Sequence, residues 1–214
     1  MLTTEPSPAV QDRPPEVADI HQRRRLKALL YRVGCDICRV SEISTLTVND
    51  ILRRTTVSRS TFYKYFSTKD AFFDFLAKEA EAGLSRSLSE SIVGVGDPAA
   101  RLCRLIEAYL LYCSVNLSEA AVILKLSEYR KSAPSFMART LRDELQAGRD
   151  AGRFLISNLD VVQFTAVGAV NAMLVRILEA DSPHAVEPLI RDALTSLLRM
   201  LHVPRADISR IVAD

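Results

Sequence analysis

Thr55-Thr56-Val57-Ser58-Arg59-Ser60-Thr61-Phe62-Tyr63-Lys64-Tyr65-Phe66-Ser67-Thr68-Lys69-Asp70 is the stretch that decides the reading of the chain. Ser58 can cap a helix of about two turns, because its hydroxyl accepts an N–H two or three residues on. Ser67, with Asp70 three residues later, predicts a second cap and the start of a longer helix. Just upstream, Thr47-Val48-Asn49-Asp50 has the form of a capping box, opening a short helix that places Ile51 inward and ends near Arg54. The turn Thr55-Thr56-Val57 joins the two short helices, with Val57 directed into a small core. Two short helices joined in this way, tucked against a longer first helix, predict a helix-turn-helix.

Working outward, Leu26, Leu29, Leu30, Val33, Ile37 and Val40 fall at helical spacing and predict that longer helix over about 20–41. Its outer face carries Arg23, Arg24, Arg25, Lys27 and Arg32. Downstream, residues 62–75 hold seven of the chain's fourteen aromatics. Phe62 and Phe66, four apart, belong to the core, and a fourth helix is expected over about 69–92. From Ser58 to Thr68 there is no acidic residue. Arg59, Ser60, Thr61, Tyr63, Lys64 and Tyr65 supply cations and hydroxyls, the groups a helix needs against phosphate oxygens and base edges in a DNA major groove. Lys69 opens the next helix, whose N-terminus also favours a phosphate. The competing structural reading is a packed aromatic hairpin with a solvated basic face.

The rest of the 214 residues reads as helix. Gly94, Gly96 and Asp97-Pro98 break the chain, with Asp97 as cap and Pro98 in the first helical position. Helices are expected at about 98–115, 118–131, 134–152, 159–180 and 187–202, with breaks at Ser132-Ala133-Pro134, Gly152 to Asn158, Ser182-Pro183 and Pro188, and Pro204 ending the last one. No segment alternates with period two and no repeat is evident. The expected fold is therefore all-α with about nine helices. Residues 1–18, with Pro6, Pro8, Pro14 and Pro15, read as a disordered arm. The net charge of +2 is unevenly spread: −2 over 1–18, +5 over 19–80 and −1 over 81–214. The positive block coincides with the helix-turn-helix, where a polyanion could use it. No uncharged apolar run approaches the ~18 residues of a membrane span, and no signal peptide is evident, so no membrane partner is expected and the cytoplasm is the default.

Val57 to Phe73 resembles the DNA-binding signature of TetR-type transcriptional regulators, and Leu46-Thr47-Val48-Asn49-Asp50-Ile51 resembles the start of that family's second helix. The segment Leu145 to Phe154, followed by Asp160, is similar to the family's link between helices 7 and 8. The resemblance implies that Thr61, Tyr63 and Tyr65 face phosphates, that Thr47 offers its N–H or hydroxyl to one, and that Lys69 is the family's lysine at the start of helix 4. Arg59, Ser60 and Lys64, with Ser58 at the cap, then occupy the reading face. Two positions depart from the pattern. Thr56 stands where a glycine usually ends helix 2, which predicts a strained or differently closed turn, and Glu42 replaces a glycine after helix 1. The implied organisation is an arm at 1–18, a helix-turn-helix domain at 19–68 and a ligand-binding and dimerisation domain at 69–214. The implied function is a ligand-released repressor that binds a palindromic double-stranded DNA operator as a homodimer.

Leu189, Ile190, Ala193, Leu194, Leu197, Leu198 and Leu201 form an apolar stripe on the last helix. The helix at 159–180 is apolar almost all round, which asks for a partner on both sides. Ala169 and Ala172 would allow a second copy to approach closely, and the resemblance implies the same dimer. It also implies a pocket for a small-molecule effector. Tyr109, Tyr112, Cys113, Asn116, Tyr129 and Asn171 have the mixed character such a pocket needs, and Phe136, Phe164 and Met173 could wall it.

Cys35-Asp36-Ile37-Cys38 is formally a CxxC, but it lies within a helical pattern and has no further ligands at zinc spacing. Buried thiols are expected. A thiol-redox-responsive regulator using Cys35 and Cys38 is the alternative within the same DNA-binding reading. No HExxH, P-loop, GxSxG or dinucleotide glycine motif supports an enzyme, and no cofactor or metal is expected.

Overall fold

The computed structural model describes residues 15–129, 135–180 and 187–213. Among them the chain forms ten helices and no strand: α1 (Pro15–Val40), α2 (Val48–Arg53), α3 (Arg59–Tyr65), α4 (Lys69–Ser91), α5 (Pro98–Val115), α6 (Leu117–Tyr129), α7 (Phe136–Asp150), α8 (Leu159–Glu179), α9 (Glu187–Met200) and α10 (Arg205–Ala213). The all-helical expectation holds, with one helix more than the sequence pattern predicts.

That extra helix is α10. Pro204 does not stop the chain; its carbonyl accepts the Ile208 N–H at 3.0 Å and so starts a new helix. A proline suits a helix start because its missing N–H would have no partner there. Ile208, Ile211 and Val212 follow at helical spacing and pack on the C-terminal core. The same logic corrects the N-terminus. Pro15 begins α1, so residues 15–18 are helical rather than part of an arm; residues 1–14 lie outside the described residues. The predicted breaks at Ser132-Ala133-Pro134 and Ser182-Pro183 lie outside them as well.

The cap of α4 also differs by one residue. Thr68, not Ser67, accepts the Ala71 N–H at 3.0 Å. Lys69 is then the first helical residue and Asp70 the second, too early for its carboxylate to close a reciprocal capping box. At α2 the predicted box is complete: Thr47 Oγ1 accepts the Asp50 N–H, and Asp50 Oδ2 accepts the Thr47 N–H at 2.9 Å.

Two apolar cores result. The N-terminal one gathers Leu30, Ile37 and Cys38 of α1, Ile51, Phe62, Phe66 and α4 down to Ala80, and it is completed by Val122 and Leu126 of α6. Phe62, Phe66 and Phe72 meet with ring centroids 5.3–5.6 Å apart, within the range favourable for aromatic pairs. Gly34 lets α1 lie directly on α4: a Cβ there would come within 2.5 Å of the Leu76 methyls. The second core begins at Leu84 and runs through α5 and α7–α10. The division thus falls partway along α4, a single helix that belongs to both cores.

Ion pairs tie the second unit together. Arg101 of α5 grips Glu144 of α7 through two bonds of 3.0 and 2.7 Å. Arg153 joins Asp97, the cap of α5, to Asp207 of α10. Arg153 follows Gly152, whose φ of 67° supplies the left-handed residue that ends α7.

Helix α8 is buried on one side only. Gln163, Ala166, Val170, Leu174 and Ile177 enter the core, whereas Val161, Phe164, Gly168, Ala169, Ala172 and Val175 are exposed in a continuous stripe. It is long and apolar enough by composition to cross a membrane, but its inner face forms part of this protein's own core.

Candidate nucleic-acid interface

Packing dictates which way α3 faces. Phe62 is fully buried and Phe66 nearly so, while Val57 is half-buried against the same core. The helix therefore turns Arg59, Ser60, Tyr63 and Lys64 outward. Tyr63 keeps its ring edge-on to Phe62 at 5.7 Å and is 45% exposed. Ser58 Oγ receives the Thr61 N–H at 3.1 Å and lies 3.0 and 2.8 Å from the hydroxyls of Ser60 and Thr61. The result is a rigid face of hydroxyls and cations without a carboxylate.

The helix-turn-helix is closed without strain. Thr55 Oγ1 donates to the Leu52 carbonyl and accepts the Val57 N–H at 3.2 Å each. A side chain thus does what a left-handed glycine would do, and Thr56 needs no positive φ: among the described non-glycine residues only His202 has one. Arg59 reaches back to α2, donating to Asn49 Oδ1 at 2.5 Å. Sequence reasoning did not single out Asn49, and its spacing from Arg59 gave no signal. Thr47, read as a phosphate contact, has its N–H and hydroxyl both on Asp50 Oδ2, at 2.9 and 2.6 Å.

Lys69 is half-buried. Its ammonium donates to the Leu46 carbonyl at 3.0 Å, with those of Ile43 and Ser44 at 3.4 and 3.5 Å. It therefore clamps the loop between α1 and α2 from below. Glu42, the other departure from the family pattern, pairs with Lys125 of α6 at 2.9 Å. Beside α3, Tyr65 and Lys64 line a groove with Ile20, Arg23, Arg24 and Lys27 of α1, extending the basic face past the recognition helix.

The predicted ligand residues separate into groups. Tyr109 and Phe136 line a narrow cleft between α4, α5, α6 and the start of α7, together with Ala77, Glu81, Leu84, Ile123, Leu126, Ser127, Ser135 and Met137. The cleft has a cavity volume of about 30 Å³, room for one or two waters. Cys113 lies deep in the core, its thiol pushed up by burial. Tyr112 is half-buried beside Gly83, and Asn116 caps α5 by donating to the Tyr112 carbonyl. Met173 packs partly buried on the second core, and Asn171 of α8 is half-buried; neither reaches the cleft. Phe164 is corrected from pocket wall to surface: it is 72% exposed on the outer stripe of α8. Tyr129 stands at the joint between the two units, its phenol on Asp70 and its ring under the Lys69 ammonium at 5.6 Å. Glu81 was missed, although its place between Ala77 and Leu84 on one face of α4 was the available signal.

The four cysteines are buried and unpaired. Burial pushes the Cys35 thiol up to about 11 and the Cys38 thiol to about 12. A thiol held protonated at neutral pH is a poor nucleophile, so the redox alternative is not favoured. Among the described residues no group of three or more His, Cys, Asp or Glu side chains could hold a metal.

Residues 43–75 match the family described as bacterial regulatory proteins, tetR family. Comparison of the sequence with curated proteins gives no match. Among solved structures, a gamma-butyrolactone receptor described as ArpA-like is similar at a TM-score of 0.68 and 16% identity, over 90% of this chain and 95% of the other. RolR bound to resorcinol is similar at 0.56 and 18%, over 91% and 96%. The fatty acid degradation regulator FadR from Bacillus halodurans is similar at 0.61 and 14%, over 88% and 97%.

Proposed function

We propose that this chain, whose residues 43–75 match the tetR family of bacterial regulatory proteins, is a transcription regulator that works as a homodimeric repressor released from a palindromic operator by a small molecule. The observation that carries the proposal is the outward face of α3: Ser60, Tyr63 and Lys64 exposed on a helix that Phe62 and Phe66 anchor in the core. In this reading Ser58, Thr61, Tyr63 and Tyr65 hold phosphates, and Arg59, Ser60 and Lys64 address base edges. Thr47 and Lys69 fix the loop and the helix start that present α3, and Lys69 adds positive potential beneath the backbone. Residues 19–68 act as the reading head and residues 69–214 as the dimerising, ligand-sensing body.

The exposed stripe from Val161 to Val175 on α8 supports the dimer, since burying it against its own copy removes apolar surface from water. Two copies of α3 about a two-fold axis would then enter successive major grooves about 34–36 Å apart. The cleft supports the release step. Helix α4 has 23 residues and so spans ~35 Å, from the reading head at Lys69 past Ala77 and Glu81 in the cleft. A molecule that binds better when the walls stand apart would favour a spacing of the two heads that fits DNA poorly. A coupling of ~1–3 kcal/mol would lower operator affinity about 5–150-fold.

Lys64→Ala and Tyr63→Phe test the site, because neither side chain is buried in the core. Loss of a phosphate contact should weaken all DNA alike and lower the salt slope by ~0.9. Loss of a base contact should cost ~1–3 kcal/mol at one operator position. Unchanged operator affinity in both variants would contradict the assignment.

A further inference from the structure

Asn49 and Arg59 stand at the starts of the two helices of the helix-turn-helix. Asn49 is the second residue of α2 and Arg59 the first of α3. Both are exposed, and Arg59 Nη2 donates to Asn49 Oδ1 at 2.5 Å. An arginine has donors only, so the amide can answer it only with its oxygen. Helix α2 has no use of its own for this amide. Thr47 and Asp50 already close its N-terminus through their reciprocal capping box, and asparagine is a poorer helix former than alanine or lysine. Among the described residues Arg59 pairs with no carboxylate. The Asp50 carboxylate beside Asn49 is engaged by Thr47 and Arg53 instead.

Such a pairing suits a reader of bases. The first residues of a recognition helix lie against base edges in the major groove. The guanidinium fork matches the O6 and N7 acceptors of guanine, and a single bond to Asn49 leaves the other N–H groups of Arg59 to make that contact. A long side chain alone in water loses rotamer freedom when it binds. Asn49 lowers that loss by holding the guanidinium beforehand. A carboxylate at position 49 would hold it too, but would offset its charge and repel phosphates; the neutral amide does neither. We propose that Asn49 is a positioning residue that presets Arg59 to read one guanine in each half-site. This rests on the reading of α3 as the recognition helix and names a residue outside α3 that sets its specificity.

Anisotropy titrations of the full chain and its variants test it, against an operator recovered from a random duplex library and against duplexes changed at each base pair of the half-site. Arg59→Ala should lower discrimination at one G·C pair about 5–150-fold. Asn49→Ala should lower it at the same pair about two- to tenfold and leave affinity for non-operator DNA unchanged. Asn49→Asp should keep the discrimination while weakening all duplexes, since it restores the hold but adds a negative charge. Asn49→Ala combined with Arg59→Ala should match Arg59→Ala alone at that pair within about twofold. Both positions are exposed, so melting temperatures should stay within about 2 °C of the parent. Full discrimination in Asn49→Ala, an equal loss on all duplexes, a loss that persists without Arg59, or Asn49→Asp discriminating no better than Asn49→Ala would each overturn the proposal. Arg59→Ala that changes the choice at no base pair, while Lys64→Ala still weakens the operator, would overturn it and leave the recognition helix standing. A library that yields no operator, or an operator affinity indifferent to Arg59→Ala, Lys64→Ala and Tyr63→Phe alike, would remove that reading as well.

Discussion

The Tyr129 phenol donates to Asp70 Oδ1 at 2.6 Å, joining the last turn of α6 to the first turn of α4. Around this bond the Tyr129 ring packs edge-on to Phe73 at 5.8 Å and under the Lys69 ammonium. Lys69 in turn clamps the α1–α2 loop, and Lys125 holds Glu42 one turn up α6. Ile123, Leu126 and Ser127 of the same helix line the cleft, so α6, like α4, touches both the cleft and the N-terminal core.

Tyr129→Phe keeps the ring and removes the bond. A hydrogen bond of this kind contributes about 0.5–1.5 kcal/mol net, so the melting temperature should fall by only a few degrees. Operator affinity should fall about two- to tenfold, because the reading head must now be ordered when DNA binds. Titration with a labelled operator checks this; wild-type affinity in the variant would show that the joint is structural only.

Asp97 gives a pH signature. Hydrogen bonds from Arg153, chiefly, hold its carboxyl below the usual carboxylate range. A carboxyl depressed in the folded state stabilises it above the ordinary value near 3.8 and loses that contribution as pH falls through the folded value. Asp97→Asn keeps a good helix cap but loses the charge, and should cost about 1–2 kcal/mol at pH 7. The gap between the melting curves of the two proteins should hold down to about pH 4, then narrow and close as pH falls through the depressed folded value. A gap that ignores pH would contradict the assignment.

Ala169→Arg places a charge in the exposed stripe of α8 where a single chain tolerates it. The variant should melt cooperatively yet sediment as a monomer, while the parent sediments as a dimer at micromolar concentration. A monomeric parent, or a variant still dimeric, would move the interface elsewhere.

How much of this was legible in the sequence differs from element to element. The helix-turn-helix was readable because its signals are local: a capping box at Thr47, a cap at Ser58 and aromatics at a spacing of four. The missed α10 and the early start of α1 have one cause. Proline both ends and begins helices, and Pro204 was read only as a stop and Pro15 only as part of a disordered arm. Phe164 shows the limit of composition: an apolar residue on an apolar helix fits a pocket wall and a dimer face equally well, and only its direction from α8 decides. Lys69 shows a similar limit, because its partners lie 23 to 26 residues away in a loop whose path no local pattern specifies. Glu81 could have been read from its position on the buried face of α4.

Selection of bound sequences from a random double-stranded DNA library measures the central claim most directly. The account predicts an inverted repeat whose half-sites are related by the protein's two-fold axis. It further predicts that Lys64→Ala relaxes the choice at one position of each half-site or weakens all positions alike. Enrichment of no inverted repeat, or a recovered site whose affinity ignores both Lys64→Ala and Tyr63→Phe, would contradict it.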